Sequence, residues 1–346
     1  MLSSDPKMPK LNGVFELNIN TNTNQNNLQS SKDESKPPNS GLNPPQVSEG
    51  NISTTMSLFP PQEHQDTLKS SNITILLPPP EVYPVYSYSK DYYYELYQNL
   101  IFEEQRLFAK INCQYMNFQS NINSNMRAIL VDWLIYIHDK CNMKKKTLFQ
   151  CVYIIDAYLS KNQISIVNLQ LLGITAALIA SKTNEVIYPK LKSFLFFTNN
   201  AYNLEELNNM ELEVMKKLEF DILAPTADEF FAINADIFEF TKKQRFFGEY
   251  FLDTSLIDFA TLKYKPSIIA LACNYIVIKF FNININDLIA QNVYQNINPN
   301  EVIDCARYLF NLNKYLSQST LVAIKNKYST DKYMNIAQIN FNNFDI

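Results

Sequence analysis

From about Asp91 to about Tyr328 the apolar residues recur at three-and-four spacing, in segments separated by short polar loops. That spacing is the mark of amphipathic helices, and no stretch alternates as a half-buried strand would. The segment beginning "DYYYELYQNLIFEEQRLFAK" opens the pattern. Helix starts are predicted at Asn203-x-x-Glu206, at Thr226-x-x-Glu229 after Pro225, and at Asn298-Pro-x-Glu301, each with the residue types of a capping box. Pro189 and Pro266 sit where a first helical turn tolerates proline. The predicted fold class is all-α.

One helix carries a contradiction. In "NMRAILVDWLIYIHDK", residues 125–140, the residues Met126, Ile129, Leu130, Trp133, Leu134 and Ile137 share a face. Arg127 projects among Leu130, Val131 and Leu134, and Asp132 among Ala128, Ile129, Ile135 and Tyr136. Neither charge has a polar side to occupy. An unpaired buried guanidinium is costly, so Arg127 needs a partner or a path to water. The sequence names no partner for Asp132.

Two further segments are apolar nearly all round. "ISIVNLQLLGITAALIAS", residues 164–181, has no charge and approaches the length of a membrane span. Asn168, Gln170 and Thr175 interrupt it, and amphipathic helices flank it, so a buried central helix is expected and no membrane partner. Leu171–Lys182 aligns on Ile268–Lys279, with Gly173 and Ala176 falling on Ala270 and Cys273. This long internal repeat predicts two similar helical domains, each wrapped round one buried helix.

Composition narrows the chemistry. Residues 1–85 are rich in Asn, Ser, Thr, Gln and Pro without periodicity, which predicts a disordered tail. A net charge of −4 leaves no basic excess for nucleic acid. Lys144, Lys145 and Lys146 open a helix and are expected at a solvated helix end. Five scattered cysteines lack any CxxC pair, which speaks against zinc and for a reducing compartment. His64 and His138 have no nucleophile or acid at a catalytic spacing, and the glycines cannot build a phosphate loop. No cofactor, metal or enzymatic activity is expected. No charged leader precedes an apolar core, so the nucleus or cytoplasm is the expected location.

"MRAILVDWL", "YIIDAYLS", "LQLLGITAALIASK", "MELEVMKKLEFDILAPT" and "SLIDFATLKYKPSIIALA" together resemble the cyclins, of the A/B mitotic type. The resemblance runs over residues 91 to 333. It implies two tandem five-helix cyclin boxes, at 126–224 and 225–333, after an N-terminal helix and linker at 86–125, with a C-terminal tail at 334–346. It implies a protein that binds a cyclin-dependent Ser/Thr kinase and switches it on, the alternative being a cyclin-box adaptor that binds peptides or transcription machinery without activating a kinase. Arg127 matches a cyclin arginine that pairs with an aspartate at the position of Asp156; snorkelling to water is the alternative. Lys182 and Glu211 match positions that meet the kinase main chain, with an internal ion pair as the alternative. Glu185, Phe220, Ile222, Tyr92 and Leu96 match further kinase-facing positions. Met126, Ile129, Leu130, Trp133 and Gln170 match an exposed patch that docks substrates or inhibitors carrying a basic-x-Leu motif, unless another helix or the tail covers it. Thr183 and Asn184 replace an aromatic and an acid, and Tyr136 and Asn199 replace acids that would receive the basic residue. The tail has no arginine and hence no destruction box, and no Lys-Glu-Asn triplet.

Overall fold

The computed structural model describes residues 90–284, 297–341, 344 and 346. The expected tail at 1–85 lies outside these. Among the described residues the order is α1 (Lys90–Phe108), α2 (Ser124–Lys140), α3 (Lys145–Leu159), α4 (Ile166–Asn184), α5 (Leu191–Phe197), α6 (Leu204–Lys217), α7 (Ala227–Ile237), α8 (Lys242–Ile257), α9 (Pro266–Phe281), α10 (Pro299–Leu316) and α11 (Ala323–Tyr328), with short 3₁₀ turns and no strand. Among the described residues the fold is all-α: α1, then two groups of five helices, α2–α6 and α7–α11.

Each group is built round one apolar helix. In the first it is α4, where Leu172, Ile174, Ala176 and Leu178 have no accessible surface. Gly173 lets α2 approach, since a Cβ there would lie 2.6 Å from Leu130 Cδ1. The segment is apolar and long enough to cross a membrane by length and composition, but 72% of it is buried inside the protein. In the second group α9 takes the same place, with Ala270, Leu271, Cys273 and Ile276 fully buried. The repeated small residues therefore mark two central helices.

The helix ends follow the local signals. Asn203 and Glu206 form a reciprocal capping box on α6, and Glu229 Oε2 accepts the Thr226 backbone N–H at 3.0 Å on α7. A third box, Thr241 with Gln244 on α8, carries the same signature in the sequence. At Asn298 the prediction needs correction. Its side chain accepts from the Asn300 backbone N–H at 3.1 Å, a local turn rather than the box with Glu301.

The reason α2 lacks a polar side is its position. Leu130, Trp133, Leu134 and Ile137 enter the core of the first group, whereas Ala128, Val131 and Ile135 enter the core of the second. Leu148, Phe149 and Val152 of α3 also join that second core. A helix buried on two faces leaves charged side chains only protein to meet.

Candidate functional site

Charged residues of α1, α2 and α3 tie these helices to the second group. Arg127 is 1% exposed and binds Asp156 through two parallel contacts, Nε to Oδ1 at 2.7 Å and Nη2 to Oδ2 at 2.6 Å. Its Nη1 donates to the carbonyls of Leu256 at 3.0 Å and Ile257 at 3.3 Å. These belong to the last turn of α8, whose carbonyls have no partner within the helix. Tyr115 donates from its hydroxyl to Asp156 Oδ1 at 2.8 Å. Burial alone would lower the guanidinium pKa, but the carboxylate beside it holds it raised. The alternative of an arginine reaching water is excluded by this geometry.

Asp132 also reaches the second group. It accepts the Ala323 backbone N–H at 3.0 Å, at the start of α11. Burial raises its carboxyl to about 7 despite that bond. Glu104 on α1 does the same for α9, accepting the Ser267 N–H and hydroxyl, both at 2.7 Å.

The lysine run is not a solvated helix end. Lys145 Nζ lies 3.0 Å from Asp253 Oδ1 and 3.2 Å from Glu249 Oε2 on α8, and 2.8 Å from the Tyr328 hydroxyl. Lys327 approaches the other Asp253 oxygen at 2.8 Å. Burial pushes the Asp253 carboxyl up, yet these two ammonium groups overcome it and hold it well below the usual range. Lys146 pairs with Glu229 at 2.7 Å. The sequence reading failed because the acids that receive this run lie on helices about a hundred residues later. His138 is buried with its Nε2 against the Lys144 carbonyl at 2.9 Å, and burial lowers its pKa to about 3. It stays neutral and serves packing.

The outward-facing constellation centres on the last turn of α4 and the middle of α6. Lys182 Nζ meets Glu211 Oε1 at 2.6 Å and Oε2 at 2.8 Å, with side-chain exposures of 34% and 21%. The pair carries no net charge, yet the third ammonium hydrogen and the remaining carboxylate lone pairs stay available. Leu212 beside it is exposed. Phe220 is 65% exposed and follows Glu219 in the left-handed region, at φ 60° and 55°. Tyr92 is exposed on α1, while Leu96 is half-buried against the second core. Asp221 pairs with Lys110 and, at 3.4 Å, with Arg106, so the end of α1 lies beside the Phe220 loop.

Several expected site residues face elsewhere. Ile222 is buried at 5% exposure, with its carbonyl accepting from Gln150; Leu223, 57% exposed, faces solvent instead. Glu185 is turned onto its own chain, accepting the Lys144 N–H at 2.7 Å and the Thr147 hydroxyl. The expected exposed docking patch is also corrected. Leu130, Trp133 and Gln170 are 0%, 3% and 2% exposed, and Met126 and Ile129 are half-buried. Leu130 is the knob that meets Gly173, and Trp133 belongs to the same core. No group of three or more potential metal ligands occurs among the described residues.

Comparison with known proteins places this geometry. The family description "Cyclin, N-terminal domain" matches residues 95–223, and "Cyclin, C-terminal domain" matches residues 225–342. The chain is similar to a G2/mitotic-specific cyclin-B of Hydra vulgaris, 33% identical over 250 residues, covering 72% of this chain and 68% of that protein. It is also 33% identical over 253 residues to a human G2/mitotic-specific cyclin-B2, covering 72% of this chain and 62% of that protein. A crystal structure of a viral cyclin from herpesvirus saimiri shares the fold at a TM-score of 0.57 and 19% identity, over 66% of this chain and 99% of that one. Two matched domains over two helix groups, each with its buried central helix, leave one conclusion: this chain belongs to the cyclin family.

Proposed function

We propose that this chain is the regulatory subunit of a cyclin-dependent Ser/Thr kinase, which it binds and activates without a reaction of its own. The observation that carries the reading is the Lys182–Glu211 pair, held at 2.6 Å on the surface between the last turn of α4 and the middle of α6. A preformed neutral pair offers one donor and several acceptors to a partner's main chain without burying net charge. Phe220, Leu212 and Leu223 supply apolar surface nearby. Such a rigid surface can hold a kinase's regulatory helix inward, so that its lysine–glutamate pair and metal-binding aspartate come into register. Substrate docking through a basic-x-Leu motif is a separate step. With Leu130, Trp133 and Gln170 buried, it requires local displacement of the structure around α2.

The test is purification of the chain with its bound kinase, followed by phosphorylation of a generic basic substrate. Lys182→Ala with Glu211→Ala is expected to abolish activation while the free chain keeps its helical signal. Full activation by the double variant would remove the proposed interface.

A further inference from the structure

Where the two helix groups meet there is a cavity of about 100 Å³. It is bounded by the end of α1, by α3, by the link into α7 and by the turn between α8 and α9. Phe149 and Val152 belong to its apolar wall, and the Arg127–Asp156 pair also lines it. Phe108, Ile111, Tyr153, Leu262, Tyr264 and Ile269 line it and are half-buried, so it opens to solvent. A cavity of roughly 150 Å³ lined by Leu, Ile and Phe holds benzene. The space here, with its open side, suits a single ring.

The polar groups around the cavity decide what kind of ring. Arg127 and Asp156 cancel each other's charge, and the guanidinium gives Nε, Nη1 and Nη2 to Asp156, Leu256 and Ile257. Ser255 and Thr261 donate their hydroxyls to the carbonyls of Leu252 and Ser255, both at 2.6 Å. A charged ligand would therefore lose its hydration without gaining a counter-ion. The hydroxyls of Tyr153 and Tyr264 carry no hydrogen bond among the described residues. Burial pushes both phenols up to about 12, so each keeps its proton and can donate it. Along the links into α7 and α9, Pro225 and Pro266 lack an N–H. The N–H of Thr226 is bound to Glu229 at 3.0 Å and that of Ser267 to Glu104 at 2.7 Å. These four positions give a peptide main chain no donor, which favours a small molecule as occupant.

We infer that this cavity binds an uncharged small molecule, with one ring against the apolar wall and an acceptor group for the hydroxyl of Tyr153 or Tyr264. The site is independent of the kinase-activating reading. Its walls come from α1, α3 and the second group, so an occupant bridges the junction and favours the folded chain over the unfolded one.

The test uses the full chain with benzyl alcohol as the probe and benzoate and benzylamine as charged controls, followed by ligand-observed NMR. Benzyl alcohol is expected to bind with a Kd on the order of 1 mM. Benzoate and benzylamine are expected to bind about tenfold more weakly or worse. Ile269→Trp and Leu262→Trp fill the cavity from two walls, and each is expected to remove binding with an unchanged unfolding temperature. Where filling lowers that temperature, Tyr153→Phe with Tyr264→Phe carries the test. That double variant is expected to bind benzyl alcohol about threefold more weakly and toluene as wild type does. Wild-type affinity in a stably folded filled variant, an unaltered benzyl alcohol affinity in the tyrosine variant, or equal binding of benzoate overturns the site. Tighter binding of acetyl-phenylalaninamide than of benzyl alcohol overturns it too, by assigning the cavity to a side chain of a protein partner.

Discussion

Asp132 accepts the backbone N–H of Ala323 at 3.0 Å, so a carboxylate stranded midway along α2 caps a helix 191 residues further on. The cap is made at a cost. Burial raises this carboxyl from its ordinary 3.8 to about 7, so the folded chain holds the proton more tightly than the unfolded one.

That difference fixes the sign of a pH effect. Between about 4 and 7 the folded state binds more protons, and stability falls as pH rises through this window. Asp132→Asn keeps an acceptor for Ala323 and removes the charge. The variant is expected to be more stable than wild type at pH 8, on the order of 2 kcal/mol, and to match it near pH 4. Urea midpoints at the two pH values check this; an equal offset at both would refute the titration.

Arg127→Ala is expected to lose about 3–5 kcal/mol, because Asp156 is left buried and unpaired. Adding Asp156→Ala should recover only part. The Leu256 and Ile257 carbonyls would still lack their donor, and Tyr115 would have lost its acceptor. A double-mutant cycle in denaturant separates the pair from the carbonyl contacts. A single variant that unfolds at the wild-type urea concentration would contradict the geometry.

The two adjacent lysines should behave differently. Lys145→Met leaves Asp253 with one of its two ammonium partners and is expected to cost about 3 kcal/mol. Lys146→Met removes a pair whose lysine is 42% exposed and is expected to change stability by about 1 kcal/mol or less. Thermal unfolding of the two variants side by side settles the contrast; equal losses would mean that Lys145 is not part of a buried network.

Trp133→Ala is expected to cost about 3–5 kcal/mol, as a large side chain removed from a packed core does. Lys182→Ala and Glu211→Ala should each change stability by about 1 kcal/mol or less. Loss of peptide binding in Trp133→Ala would therefore report unfolding as much as docking. Unchanged stability of that variant would return Trp133 to the surface.

The legible features were those written locally. Apolar spacing marked the helices, the Asn203 and Thr226 boxes marked two of their starts, and the repeated small residues marked α4 and α9 as central. Arg127 with Asp156 followed from resemblance, and the structure brings that pair together; for Lys182 and Glu211 the resemblance implied a kinase-facing role, and the ion pair between them is the alternative to it. What escaped was non-local. No spacing rule connects Asp132 to Ala323, Glu104 to Ser267 or Lys145 to Asp253. Side-chain direction escaped too: Ile222 and Leu223 are neighbours, and only the second faces out. For Leu130 and Trp133, helical periodicity gave the apolar face but not what lay against it.

The charged contacts of α1 and α2 with the second helix group also bear on how the chain folds. They span 129 residues for Arg127 with Leu256, 163 for Glu104 with Ser267 and 191 for Asp132 with Ala323. During synthesis α1 and α2 leave the ribosome long before these partners exist, with a guanidinium and two carboxylates awaiting distant backbone groups. Contacts of such separation close late and slowly. α1 and α2 cannot complete these contacts until α8, α9 and α11 have been made, so a chain cut after α6 would leave α2 with an exposed apolar face, Asp132 without the Ala323 N–H and Arg127 without the Leu256 and Ile257 carbonyls. The cyclin boxes look like a duplicated module, but they mature as one unit, timed by the arrival of the C-terminal helices.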